Sequence, residues 1–174
     1  MITKSLNIPY FIQPVKNHKI IKEFYLNKIN NNPINGYDSI YNTDWNIKTN
    51  INYTFLLNQL EENLNNMEKF LNVKEAIVHN FWFQQYKKTN YHIWHTHCEC
   101  HYTNVYYLEV DDGATEVKDP MTNKVITMKV KEGDLLSIPA FLLHRSPKIK
   151  TNITKTVIAF NTSFKNFQEH ESKI

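Results

Sequence analysis

The sequence predicts a mainly β chain: an antiparallel barrel or jelly roll with a helical flank at its N-terminus. Three observations lead there. Apolar residues recur at three- and four-residue spacing ahead of Lys74, and after it the period falls to two. The later segments are short and rich in Val, Ile, Phe and Tyr. They are divided by turn residues at Asp111-Asp112-Gly113, Pro120 and Lys131-Glu132-Gly133-Asp134. Helices followed by a run of short strands make one sheet pair with helices to one side.

The chain of 174 residues fits a single domain, 1–174, with 1–73 as the helical flank and 74–164 as the β core. A first helix is predicted over Asn17 to Ile29, with Ile20, Ile21, Phe24, Tyr25 and Ile29 on one side and the asparagines at 30–32 breaking it. The clearest helix runs from Tyr53 to Leu71, where Leu56, Leu57, Leu60, Leu64, Met67 and Leu71 form a stripe suited to covering a sheet or mediating a homodimer. Strands are predicted over Ala76 to Tyr86, Asn104 to Val110, Val125 to Val130, Asp134 to Ile138 and Thr156 to Ser163. The tail beyond Phe164 is polar and expected to be loosely held.

Composition narrows the function classes. With 41% hydrophobic and 13% aromatic residues the chain is globular. A formal charge of +3, dispersed along the sequence, does not indicate nucleic acid as a partner. Arg145 is the only arginine among the 20 basic side chains. No stretch approaches the ~20 apolar residues of a bilayer span, and no apolar run follows Met1 to Ser5, so a cytoplasmic protein is expected (in a host's cytoplasm if phage-encoded). Cys98 and Cys100 are too close for an unstrained disulfide and read as free thiols, with soft metal ligation as the alternative.

Four of the eight histidines fall in the run from His92 to His101, and His144 follows further on. Two histidines one residue apart leave a strand on the same side. His95 and His97 can therefore share one metal ion, with His144 as a third arm, since neutral imidazole is a ligand for iron, zinc, copper and nickel. His101 and Glu99 have the same parity, so which of His97, Glu99 or His101 completes the site is open. Either could instead support the ligands. His92 has the opposite parity and is expected to face away.

Beyond the histidines, alternation puts Lys155, Val157, Ala159 and Asn161 on one face of the last strand. If the small residues face the cavity, Lys155 carries an ammonium into it, suited to the far carboxylate of a dicarboxylate that chelates the metal. The strand Asn80 to Tyr86 has Asn80, Trp82, Gln84 and Tyr86 on one face. Asn104 and Tyr106 share a face of the next long strand. Tyr86, Asn104 and Tyr106 are candidate ligand contacts.

The order Trp82, Tyr86, His95-Thr96-His97, Asn104 to Leu108, Gly133-Asp134-Leu135, Pro139, His144, Lys155 and Phe160-Asn161 resembles iron(II)/2-oxoglutarate-dependent oxygenases, in the small type seen in bacterial and phage genomes. The resemblance spans Ala76 to Phe164. It implies a double-stranded β-helix, cupin-like and built as a jelly roll. It implies Fe(II) as cofactor (replaceable by another divalent metal), 2-oxoglutarate and O2 as cosubstrates, and a dioxygenase that hydroxylates an unidentified substrate with release of succinate and CO2. His95 matches the first ligand, His97 stands in the usual carboxylate position, and His144 matches the distal histidine. Lys155 stands where arginine is more common, with Asn161 among the supporting groups. Two departures follow: an all-nitrogen triad, and a lysine that keeps charge but not a bidentate fork. A cupin-type metalloprotein without 2-oxoglutarate, or a non-enzymatic metal- or ligand-binding barrel, are the alternatives. The substrate is not legible in the sequence.

Overall fold

The change of period near residue 73 coincides with the end of the last helix. There Asn72 adopts a left-handed backbone (φ 54) and its N–H closes onto the Glu68 and Lys69 carbonyls, a short polar residue being well suited to that geometry. Strand β3 starts at the next residue. The protein is described by a computed structural model over residues 9–34, 36 and 39–167; the N-terminal residues 1–8 and the final seven, 168–174, lie outside them.

Among the described residues three helices precede the long strands: α1 (His18–Asn31), α2 (Thr54–Gln59) and α3 (Glu61–Leu71). The expected first helix therefore ends inside the asparagine tract. Its buried stripe is narrower than predicted, with Ile21, Tyr25 and Ile29 fully buried but Ile20 and Phe24 exposed. The helix predicted from Tyr53 to Leu71 is interrupted at Leu60. That residue's N–H is shared between the Leu56 and Leu57 carbonyls, a tightening common at helix ends. Leu56, Leu60, Leu64 and Met67 remain buried across the break.

The strands are β1 (Phe11–Pro14), β2 (Asn42–Thr43), β3 (Val73–Tyr86), β4 (His92–His95), β5 (Tyr102–Glu109), β6 (Glu116–Lys118), β7 (Val125–Thr127), β8 (Asp134–Pro139), β9 (His144–Ser146) and β10 (Lys155–Phe167). They form two sheets, β1-β8-β5-β10-β3-β2 and β4-β9-β6-β7, with antiparallel pairing throughout. This is the predicted mainly β jelly roll, a double-stranded β-helix. Two short strands, β1 and β2, come from the N-terminal flank and cap the edges of the larger sheet. Residues 165–167, expected to be loose, continue β10, whereas Val125 to Val130 yields only three strand residues.

Through the middle of the larger sheet, period two divides the buried residues between two cores. Phe83, Tyr106, Leu108, Leu135, Ile158 and Phe160 pack with Ile21, Tyr25, Leu56 and Leu60 beneath the helices. Their alternates Tyr86, Tyr107, Leu136, Ile138 and Val157 face the smaller sheet, against Val117 and Leu142. Each fully buried aliphatic or aromatic side chain contributes about 1.5–3 kcal/mol, so both faces of this sheet are fixed and its register cannot slip. Among the described residues no helix is long and apolar enough to cross a membrane.

Candidate metal centre

Strand β4 lies on the edge of the smaller sheet, paired with β9 through His92↔Ser146 and His95↔His144. Three steps on β4 thus span two on β9, which is a β-bulge. It places His95 beside His144, with ring centroids 4.3 Å apart. His97 lies two residues past β4, where its N–H donates to the Ala140 carbonyl at 2.9 Å. Its ring lies 5.2 Å from each of the others. One ligand atom from each of His95, His97 and His144 falls within 4.8 Å of the other two. Metal–nitrogen bonds of about 2.0–2.1 Å put three ligands of one ion roughly 3–3.6 Å apart, so the rings need to close by about an ångström to seat an ion.

The tautomers suit a metal. A carbonyl only accepts, so His95 Nδ1 donates to the Ile93 carbonyl and His144 Nδ1 to the Leu142 carbonyl, both at 2.8 Å. Each ring thereby keeps its Nε2 lone pair free for the cluster, the arrangement that orients imidazole ligands in metal sites. Burial, and next the charge of neighbouring histidines, lowers His97 to about 4 and His144 to about 3. His95 is lowered by burial as well. All three are neutral at pH 7, as ligation requires. The Asn161 amide lies beside His97 and opposes part of that lowering, and Thr103 Oγ1 is 3.5 Å from His97 Nε2.

The triad opens on a cavity of about 410 Å³ between the two sheets, within the range of roughly 300–1,000 Å³ usual for small-molecule sites. Lys155 lies at its floor, 2% exposed. Its Nζ donates to the Gly113 carbonyl at 2.6 Å and to Ser146 Oγ at 2.8 Å, and sits 5.0 Å from the Tyr86 ring centroid. Burial lowers it to about 7, with Asp112 pulling the other way. Gly113 is required where it stands: φ is +72, and a Cβ would lie 2.1 Å from Ile149 Cδ1. Tyr86 lines the same floor and donates its hydroxyl proton to Gln84 Oε1 at 2.8 Å.

The structure therefore brings His95, His97, His144, Lys155, Tyr86 and Asn161 to one cavity. It corrects the expectation for four others. Tyr106 and Asn104 occupy the opposite face of β5, because the residues turned inward are Thr103 and Val105. Tyr106 bonds His18 beneath helix α1 at 2.7 Å, and Asn104 Nδ2 donates to Thr162 Oγ1 at 2.8 Å. Glu99 and His101 lose the parity of His95 because the chain leaves the strand after that residue. Glu99 is exposed in a left-handed bend (φ 59), and His101 accepts the Phe164 N–H at 2.9 Å.

Sequence reasoning also missed His92, which lines the cavity with its ring 4.1 Å from that of His95. The bulge returns it to the inner face, and no residue type in Ile93-Trp94 announces a bulge. Trp45 and Ser146 were missed as well, the first because it follows a two-residue strand. Cys98 and Cys100 are free thiols, and neither belongs to the histidine cluster.

Frame and cradle together define a double-stranded β-helix with three clustered imidazoles suited to a metal and a buried lysine behind them. No family model matches the chain, and no curated protein matches it. Solved structures do. The viral collagen prolyl hydroxylase of Paramecium bursaria Chlorella virus-1, in complex with 2-oxoglutarate, superimposes with a TM-score of 0.63 at 15% identity, covering 88% of this chain and 94% of that one. HygX from Streptomyces hygroscopicus, with nickel, 2-oxoglutarate and hygromycin B bound, gives 0.67 at 11%, covering 90% and 83%. A prolyl-4-hydroxylase from Pseudomonas putida gives 0.61 at 11%, covering 91% and 94%. The chain has the fold of these 2-oxoglutarate oxygenases.

Proposed function

We propose that this protein is an Fe(II)- and 2-oxoglutarate-dependent oxygenase that hydroxylates a substrate C–H bond, with succinate and CO2 as coproducts. The observation that carries the reading is the pairing of two features in one cavity: three neutral imidazoles whose ligand atoms lie within 4.8 Å of one another, and Lys155 buried behind them. A buried ammonium is costly without an anionic partner, and a dicarboxylate chelating the metal supplies one.

His95, His97 and His144 would hold Fe(II), and the bound metal with 2-oxoglutarate supplies the oxidising chemistry. The chain's own residues do the rest. Lys155 and Ser146 receive the distal carboxylate as charge-assisted hydrogen-bond donors. The Ile93 and Leu142 carbonyls fix the ligand rings. Tyr86 and Val157 wall the floor and keep water from the cosubstrate.

Anaerobic Fe(II) and 2-oxoglutarate added to the full chain are expected to give a visible charge-transfer band. The band should be absent from His144→Ala, and Lys155→Met should need far more 2-oxoglutarate to reach it. A wild type that binds both without a band, or an undiminished band in His144→Ala, overturns the reading.

A further inference from the structure

The end of the cavity away from Lys155 is built from two indoles. Trp82 stacks on the His97 ring at 5.9 Å and 21°, and Trp45 meets Trp82 edge-on at 4.5 Å and 67°. Both line the cavity, so they form an aromatic corner beside a metal ligand.

Trp45 is held there by an array that serves no strand of ordinary length. Asp44, 6% exposed, accepts the Phe83 N–H at 2.7 Å, the Tyr53 hydroxyl at 2.7 Å and the Thr49 hydroxyl at 3.2 Å. Thr43 Oγ1 donates to the Phe83 carbonyl at 2.6 Å and accepts the Trp45 N–H at 3.1 Å. The residue after Trp45, Asn46, turns the chain away through a left-handed conformation (φ 59). The backbone on both sides of Trp45 is therefore fixed, which sets where its indole leaves the chain.

Charge completes the argument. Among the described residues no aspartate or glutamate lines the cavity, while Lys155 stands at its floor and Arg145, its guanidinium paired with Glu116 at 2.7 Å, forms part of its wall. A cationic substrate would meet a metal ion and an ammonium with no carboxylate to receive it. The neighbours of the corner, Thr43, Thr96 and Thr103, are neutral.

We infer that Trp45 and Trp82 form the substrate subsite, and that the substrate enters it as a ring without positive charge, stacked in the aromatic corner. The inference rests on the oxygenase reading for its chemistry but names a ligand class that reading leaves open. Aromatic faces favour offset or edge-on contact with another ring, worth about 0.5–1.5 kcal/mol beyond area.

The test uses saturation-transfer NMR on the full chain with three small probes: benzamide (neutral ring), benzylammonium (cationic ring) and isobutyramide (neutral, no ring). Each is added to the protein loaded with nickel(II) and 2-oxoglutarate, and again to the metal-free protein. Benzamide is expected to bind best in both. Trp45→Ala should weaken it about two- to tenfold, and Trp45→Phe, which keeps a ring, should restore most of the loss. Benzylammonium binding as well as benzamide, isobutyramide matching it, or Trp45→Ala leaving benzamide unchanged would each overturn the inference. Calorimetry of nickel and 2-oxoglutarate before the probes are added separates the two readings. If they fail to bind, the oxygenase proposal falls, while the metal-free arm still decides what the corner holds.

Discussion

His144 and Lys155 make separable demands at the level of single side chains. Loss of groups that merely orient a ligand costs roughly 10–100-fold in metal affinity, so His144→Ala, which removes a ligand outright, should cost at least about 100-fold by competitive titration. Lys155 predicts a pH dependence. Its folded value of about 7 lies below the ~10.4 of an exposed lysine, so between those values the unfolded chain holds a proton that the folded chain has released. The metal-free protein should therefore gain stability as pH rises through that window, which thermal melts at stepped pH would show. Binding a dicarboxylate reverses the preference and draws a proton onto the lysine. Calorimetry at pH 8 in two buffers of different ionisation enthalpy should then report proton uptake, abolished in Lys155→Met. The placement of Lys155, Asn161 and Tyr86 in the cavity was legible from alternation alone, because β10 keeps its parity from Lys155 to Asn161 and β3 keeps its own from Trp82 to Tyr86. Asn104 and Tyr106 were misplaced because alternation gives two faces and does not say which one is lined by helices.

Short elements carry the site, and they are the ones sequence reads least well. Strand β2 has two residues, too few for any periodicity, yet Asp44 beside it anchors the mouth through three donors. Asp44→Ala should leave the buried Phe83 N–H and Tyr53 hydroxyl unpaired, at about 1–3 kcal/mol each, visible as a lowered midpoint in urea. Gly113 sits in a turn that sequence did identify. Its carbonyl role toward Lys155 was hidden, because only the fold brings residues 113 and 155 together. Gly113→Ala should cost about 1–2 kcal/mol from the left-handed backbone alone, with weakened 2-oxoglutarate binding as the accompanying sign. The bulge in β4 shows the limit of period-two reasoning: it conserves the alternation on either side and shifts it by one in between, which is enough to turn His92 inward.

For the molecule as a whole, the class was legible because two different periods are written into one chain. A helical stripe ahead of Lys74 and alternation after it leave few ways to bury both except helices against one face of a paired sheet. The break at Leu60 was not legible, since its apolar spacing continues through it. A ligand that binds only the native state stabilises it by mass action, so nickel(II) with 2-oxoglutarate should raise the melting temperature, and His144→Ala should lose that increment. The three-imidazole cradle has one more consequence. It contributes no negative charge, so a divalent ion seated there keeps its full formal charge toward solvent-borne species. Chloride, azide and similar small monoanions should therefore act as inhibitors competitive with 2-oxoglutarate, and replacing chloride in the assay buffer with a bulky, poorly coordinating anion should raise the apparent affinity for the cosubstrate.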